Sequence, residues 1–430
     1  MPHRSILLSL RATARILVQP RLFLIGLLLV SPAQASPAHD LFNDVLARLR
    51  AAYGGPSAVT PDQLEARFRP VLEERCTPAP EECPLEVAEP VLRDLVEALG
   101  DPHTNFLASN QYGNVMKRFA GDRAERPSFG LTLRPLTDRA GSLILEVAGG
   151  GPAEEAGLRR GDIITAIDGV ALDGDAAQRG SRLRERGESG QEVQLDVLRG
   201  SQRFTVRLAG RPLPLVSAPT LTLGENGLAV LRIPTFGGPG VAERVHQLVL
   251  EAQSKGASRM LLDLRGNGGG LLSQYVATAA VFAPGAGRII EAKTNRTVYR
   301  FEDGAALTAR NGGKAVAQFR IARPAVWDGK LAVLVNRSTG SAAEYLALDI
   351  QRAGRGQVVG EATYGVANTA TSFFPLTGGA GLQVTLGHVD DLAGNALPER
   401  CHPDLEVRDD ISDLQNGRDP VLEAALQTLD

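Results

Sequence analysis

The run Leu261-Leu262-Asp263-Leu264-Arg265-Gly266-Asn267-Gly268-Gly269-Gly270 constrains this chain more than any other segment. An apolar stretch delivers four glycines within five residues, just ahead of a helical pattern. Continuous apolar residues suit a buried strand. Glycines permit backbone shapes that aim successive amides at one anion. The spacing does not fit G-x-G-x-x-G, since Leu271 stands where the last glycine would be, and the lysine of a P-loop is missing. Nucleotide binding therefore has little support. An oxyanion cradle and a tight structural turn both remain open.

Around that run, strand and helix patterns alternate. From about residue 219, the stretches 228–233, 260–264, 331–335 and 383–386 read as strands. The stretches 241–252, 271–282 and 342–350 read as helices, so this part is an α/β layer structure. Segments 296–325 and 390–400 are polar and Gly-rich and read as surface excursions. Residues 122–211 differ: five short β-rich runs lie between Gly, Pro and charged turns, with one helix near 178–186. Further upstream, Thr60-Pro61-Asp62-Gln63 is a capping box, and Leu92, Leu95, Val96 and Leu99 mark a helix that Gly100 should end. The expected class is multidomain α+β, with a helical region at 36–121, a small β domain at 122–211 and an α/β core at 212–430.

Residues 1–35 read as an export signal. Arg4, Arg11, Arg15 and Arg21 precede an apolar run at 22–30 that is too short to span a bilayer, and Ala33-Gln34-Ala35 is a small-x-small cleavage site. The expected mature chain starts at Ser36 and lies beyond the inner membrane, in the periplasm; an uncleaved anchor is the alternative. Export permits disulfides. Cys76 and Cys83 bracket a Pro-rich loop and can bridge locally, leaving Cys401 odd. The formal net charge of −3, without a long basic run, argues against nucleic acid as a partner.

Two readings compete for Ser341. In Val335-Asn336-Arg337-Ser338-Thr339-Gly340-Ser341-Ala342-Ala343-Glu344, a strand runs into a polar turn and a helix begins near the serine. Such a serine commonly caps the helix. It can also be a nucleophile whose oxyanion is held by free amides of the first turn.

Taken together, DLRGNGGGLL at 263–272, LAVLVNRSTGSAAE at 331–344 and VVGEATYG at 358–365 resemble the core of the tail-specific, or C-terminal processing, peptidase family. Residues 150–172, GGPAEEAGLRRGDIITAIDGVAL, resemble the PDZ domain of that family. Ser128-Phe129-Gly130-Leu131 stands where a PDZ domain has its carboxylate-binding loop. The resemblance implies a crotonase-like core of the ClpP/crotonase type. It implies Ser341 as nucleophile, Glu344 as a supporting residue, and an oxyanion hole from Ala342 with Gly269 or Gly270. The implied substrates are exported proteins with accessible, apolar C-terminal tails. No cofactor and no metal are implied, and an adaptor protein is an admissible partner.

One departure from that family matters. A lysine that deprotonates the serine follows T-x-G in the processing peptidases; here Thr363-Tyr364-Gly365 is followed by Val366, and none of the five lysines lies nearby. A serine still needs a base. His103, in Gly100-Asp101-Pro102-His103-Thr104, resembles the D-x-H-T motif of the tricorn-like branch, which pairs Ser with His and a C-terminal Glu. The matching acid is Glu399, with Glu344 and Glu361 as alternatives, and His402 is a lesser candidate for the base. Asp263 and Arg265 are expected to shape the Gly-rich loop. The rival readings are an inactive pseudo-peptidase serving as a PDZ peptide-binding adaptor and a PDZ scaffold or chaperone. An ester hydrolase is disfavoured because G-x-S-x-G is absent around Ser341.

Overall fold

A computed structural model of the chain describes residues 36–121, 125–136, 139–174, 176–214 and 218–430. The expected export signal lies outside the described residues. Among the described residues, no helix is long and apolar enough to cross a membrane.

Three helices, Pro37–Ala52, Pro61–Cys76 and Leu85–Glu97, open the chain. The second starts as expected: Gln63 N–H donates to Thr60 Oγ1 at 3.2 Å, and Thr60 N–H donates to Gln63 Oε1 at 2.8 Å. Cys76 and Cys83 are bridged, and Cys401 is a buried free thiol. The helical region is not a separate body. Its core residues Phe42, Leu46 and Leu92 share one apolar cluster with Leu376, Leu382 and Val384 from the far end of the chain. The strand Asn105–Leu107 also pairs antiparallel with Gly381–Asp390.

The β domain forms a six-stranded sheet in which Leu131–Pro135, Ser142–Val147, Ile163–Ile167, Glu192–Arg199 and Gln202–Ala209 follow in order, with Val170–Ala171 on the edge. The helix Ala176–Glu188 packs beside its first strand. A short strand pair, Glu125–Ser128 with Arg211–Pro214, closes the domain where chain enters and leaves it.

The core has two sheets. One runs in the order Thr220–Leu223, Leu228–Arg232, Arg259–Asp263, Lys330–Val335, Gln357–Gly360, Leu405–Glu406, and is parallel after the first pair. Such strands are covered on both faces, which is why their interiors are Val, Leu, Ala and Met. The helices Val241–Ser254, Leu272–Phe282 and Ala342–Arg352 contribute to one cluster with the strands. The second sheet is antiparallel and includes Gly287–Ala292, Arg296–Glu302, Ala305–Arg310 and Val316–Arg320. The segment expected to be a surface excursion at 296–325 is thus mostly sheet. Thr297, Ala305 and Ala306 are among its few buried residues, on strands that contact the helix Leu272–Phe282, and the polar residues around them leave no continuous apolar run to mark the sheet.

The β domain docks on the core through the chain's C-terminal end. Leu414, in the short helix Ile411–Gln415, is buried with Leu136, Leu143 and Ile163. Gly161 passes so close that a Cβ there would lie 2.3 Å from the Leu414 carbonyl oxygen. Arg160 pairs with Asp409 at 2.5 Å, and Arg232 of the core pairs with Glu146 of the β domain. Leu414→Asp places a carboxylate in this contact, where desolvation is costly. Hydrogen exchange is expected to rise at 142–147 and 163–167 while the strand Arg259–Asp263 keeps its protection.

Candidate active site

Three neighbouring parallel strands, Arg259–Asp263, Lys330–Val335 and Gln357–Gly360, release their loops at the same edge. Ligands bind outside the carboxyl ends of strands in open α/β sheets. Here that edge gathers the Gly-rich loop, Ser341 and the 361–366 loop.

Side chains tie the first two loops together. Asn267 is fully buried: its Nδ2 donates to the Ile233 carbonyl at 2.9 Å and its Oδ1 accepts from Gly269 N–H at 2.9 Å. Its own carbonyl accepts from Gly340 N–H at 2.9 Å. Thr339 Oγ1 donates to the Leu264 carbonyl at 2.9 Å, and Asn336 Oδ1 accepts from Gly266 N–H at 3.1 Å. Asp263 and Arg265 brace the loop from below, the carboxylate accepting from Arg265 N–H and Nε at 3.0 Å each. Burial opposes the Asp263 charge, yet Arg265 and Arg232 together hold its pKa below the ordinary value.

Ser341 stands at the N-cap of Ala342–Arg352 with φ 52° and ψ −121°. An ordinary capping serine has extended backbone. A non-glycine residue held at positive φ stores strain, and such strain clusters at functional sites. Gly269 (φ 93°) lies against it: a Cβ there would be 2.8 Å from Ser341 Cβ, 2.8 Å from the Gly340 oxygen and 2.9 Å from Ala342 N. Ala342 heads its helix, where an N–H has no intrahelical acceptor. Gly269 N–H is occupied by Asn267. Gly270 differs, because its neighbours make the contacts to Phe236: Phe236 N–H donates to the Gly269 oxygen and Leu271 N–H to the Phe236 oxygen, each at 2.9 Å. Among the described residues, Gly270 N–H has no acceptor.

Glu344 anchors the third loop. Its fully buried carboxylate accepts from Ser341 N–H at 2.7 Å, Thr363 Oγ1 at 2.5 Å, Gly365 N–H at 2.9 Å and Val366 N–H at 3.2 Å. Burial pushes its pKa above the ordinary value, with these hydrogen bonds pulling the other way. Val366, at the family's lysine position, is 4% exposed and contributes its backbone to this contact.

His103 is 7% exposed and follows the helix Leu85–Glu97. Asp101 holds its turn, accepting from His103 N–H at 3.0 Å and from Thr104 Oγ1 at 2.8 Å. The ring Nδ1 lies 2.8 Å from Thr369 Oγ1. Tyr345 OH donates to the Thr369 carbonyl at 3.0 Å, and the Ser341 side chain is within hydrogen-bonding reach of Tyr345. A short chain of contacts therefore joins the histidine to the serine. Burial lowers the His103 pKa to about 4, with Asp101 opposing.

The expected acid sits elsewhere. Glu399 has a 60% exposed side chain and pairs with Arg400 at 2.5 Å, while its carbonyl accepts from Ala367 N–H at 2.8 Å. The structure does not bring it to His103, because Thr369 occupies the ring Nδ1. Glu361 pairs with Arg337 at 2.9 Å, and His402 is exposed. His246 is a core residue whose Nδ1 accepts from Ala325 N–H at 2.8 Å. Sequence reasoning missed Asn267, Thr339, Thr369 and Tyr345. A single buried Thr or Asn carries no pattern of its own; only the strand-end position of Asn267 and Thr339 hinted at them.

The Ser128–Leu131 loop belongs to the β domain, on the rim of a cavity of about 420 Å³. Gly130 has φ 76°, and a Cβ there would meet Leu213 at 3.0 Å and Ala148 at 3.1 Å, so only glycine fits.

The model of peptidase family S41 matches residues 227–407, and that of the PDZ domain matches 127–209. A carboxyl-terminal-processing protease of Synechocystis sp. is 32% identical over 69% of this chain, which spans 65% of that relative's length. The chloroplastic C-terminal processing peptidase of Tetradesmus obliquus is 30% identical over 74% of this chain and 68% of its own. Two solved structures share the fold. The photosystem II D1 C-terminal processing protease has TM-score 0.52 and 23% identity, with 90% of this chain and 96% of that one covered. A Bacteroides fragilis S41 protease has TM-score 0.56 and 19% identity, with 89% and 96% covered.

Two outcomes follow from this geometry. Gly269→Ala forces a methyl group into Ser341 at a φ that alanine resists, costing on the order of 1–3 kcal/mol in thermal unfolding. His103 titrates at 6.5 when unfolded and at about 4 when folded. Its contribution to stability is full above the unfolded value and is lost as pH falls through the folded one, on the order of 3 kcal/mol. Urea unfolding at neutral and acid pH is expected to show a shallower acid loss for His103→Gln than for wild type.

Proposed function

The chain belongs to peptidase family S41, and on that footing we propose that it is an exported serine endopeptidase selecting proteins by their C-terminal tails. Ser341 is the nucleophile and His103 the base. The observation that carries the reading is that strained Ser341 and two amides without acceptors lie at one sheet edge, with a buried neutral histidine linked to the serine's helix through Thr369 and Tyr345.

The sequence of steps uses this chain's own groups. Thr369 Oγ1 takes the His103 Nδ1 proton as hydrogen-bond acceptor while pointing its hydroxyl toward the Val366 carbonyl at 3.5 Å, which leaves Nε2 bare. Nε2 removes the Ser341 hydroxyl proton as Oγ bonds to the peptide carbonyl carbon. The carbonyl oxygen becomes an anion held by Ala342 and Gly270 N–H groups, with Gly269 supplying the close approach. The C–N bond then breaks, and the amine leaves with the proton from His103. A water molecule, deprotonated by the same nitrogen, hydrolyses the acyl-enzyme.

Burial that keeps His103 neutral also makes it a weak base until substrate charge develops. An acid partner strengthens it. Glu399 is held in its ion pair with Arg400 and has to leave it to approach the ring. In this reading Thr369 fixes the ring's tautomer, and Glu399 is the group that can add charge on substrate binding. Export is supported by the leader at 1–35.

The test is labelling of the mature protein by a fluorophosphonate probe. Wild type is expected to label, and Ser341→Ala and His103→Ala to lose labelling. Thr369→Val is expected to slow labelling roughly 10- to 100-fold by freeing the ring. Glu399→Gln separates the two partners: a shifted acid limb of the rate profile assigns it the charge role, and an unchanged profile leaves Thr369 alone. A folded wild type that does not label, yet binds peptides, would falsify the peptidase reading and establish the adaptor, which the loss of the lysine at Val366 favours.

A further inference from the structure

The cavity beside the Ser128–Leu131 loop has an apolar floor of Leu131, Leu133 and Leu183. Arg118, Arg126 and Arg184 line the same cavity from three elements: the helix Ser109–Ala120, the strand Glu125–Ser128 and the helix Ala176–Glu188. Arg118 lies outside the PDZ fold, so the lining is a composite of two regions. Glu188 is the one carboxylate that also lines the cavity.

Several other arginines of the domain are paired: Arg199 with Asp162, Arg211 with Glu155 and Arg186 with Asp168. Among the described residues, Arg118 and Arg126 have no acidic partner, and Arg184 donates only to Ser181 Oγ at 3.0 Å. Three guanidinium groups that line one cavity repel. A ligand carrying carboxylates relieves that repulsion and gains charge-assisted hydrogen bonds. A peptide added to a sheet edge offers one terminal carboxylate, and the loop amides take that group. The remaining positive charge calls for acidic side chains close behind it.

We propose that this groove selects C-terminal tails that end in an apolar residue and carry Asp or Glu among the few residues before it, with Arg118 and Arg126 as specificity-determining residues. The proposal rests on the tail-selecting reading above and narrows its substrate class. The last side chain fills the apolar floor. Alternate side chains of an extended peptide point away from the floor, toward the arginines.

The test uses the full mature chain with Ser341→Ala, so that binding is read without hydrolysis. Two fluorescein-labelled peptides end in Leu and differ only in having Glu or Gln at two positions shortly before it. Fluorescence anisotropy is expected to give roughly tenfold tighter binding of the Glu peptide at low salt, the sum of two exposed pairs. That margin should shrink as salt screens it. Adding Arg118→Ala and Arg126→Ala should remove the margin, so that the Glu and Gln peptides bind the doubly substituted groove alike. Equal affinities in the unsubstituted groove, or binding of neither peptide, overturn the proposal. A wild-type chain that fails to label with fluorophosphonate while its Ser341→Ala form keeps the Glu preference loses the peptidase reading alone.

Discussion

The site depends on one buried carboxylate. Glu344 collects hydrogen bonds from Ser341, Thr363, Gly365 and Val366, so it joins the helix that Ser341 heads to the loop of the next strand. An isolated carboxyl group in that position would be expensive, and burial does push its pKa upward. Four donors from two segments offset that cost only when both segments are in place. The arrangement is therefore all-or-none: the turn at Ser341, with its positive φ, is held by the same contact that positions the 363–366 loop. This also gives the family's lysine position a structural use here. The Val366 backbone serves Glu344 whatever its side chain does.

Further support comes from beneath. Arg288, 1% exposed, lies between the rings of Tyr275 and Tyr345 at 5.2 and 5.1 Å and pairs with Asp349 at 2.7 Å. A buried guanidinium needs such partners. The pair fixes the helix that starts at Ala342 against the second sheet. Because Tyr345 also holds the Thr369 carbonyl, the helix carrying the serine and the strand carrying the histidine's partner are set by one group of side chains. The PDZ domain is joined to this frame through Glu146 and Arg232, and Arg232 also reaches Asp263 at 3.2 Å, under the Gly-rich loop. The PDZ domain and the Gly-rich loop are thus joined by one connected charge network.

Much of the fold was legible because periodicity records burial. Continuous apolar runs at 260–264 and 331–335 are strands covered on both faces, and both are found within a residue of the expected bounds. The five β-rich runs of the PDZ domain also appear as strands. The stretch 296–320 was not legible, since one face of its sheet is polar and its alternation is broken by a register shift at Ala306/Leu307. The helix Ser109–Ala120 was missed as well, although Tyr112, Val115, Met116 and Phe119 keep helical spacing; that stripe is only half-buried in the folded chain.

By itself the sequence determined the local form of the segments that meet at the site. The Gly-rich run, the serine ahead of Ala342 and the histidine after Gly100 are local patterns, because turn shape and helix starts depend on a few adjacent residues. Tertiary structure decided what those segments touch. That Gly269 N–H is used by Asn267 and Gly270 N–H is not, that His103 meets Thr369 across 266 residues, and that Glu399 turns outward to Arg400 all follow from strand order and from which buried group needed a partner. Hydrogen-bond partners are chosen by proximity in the folded chain, and proximity between distant segments leaves no periodic trace in either of them.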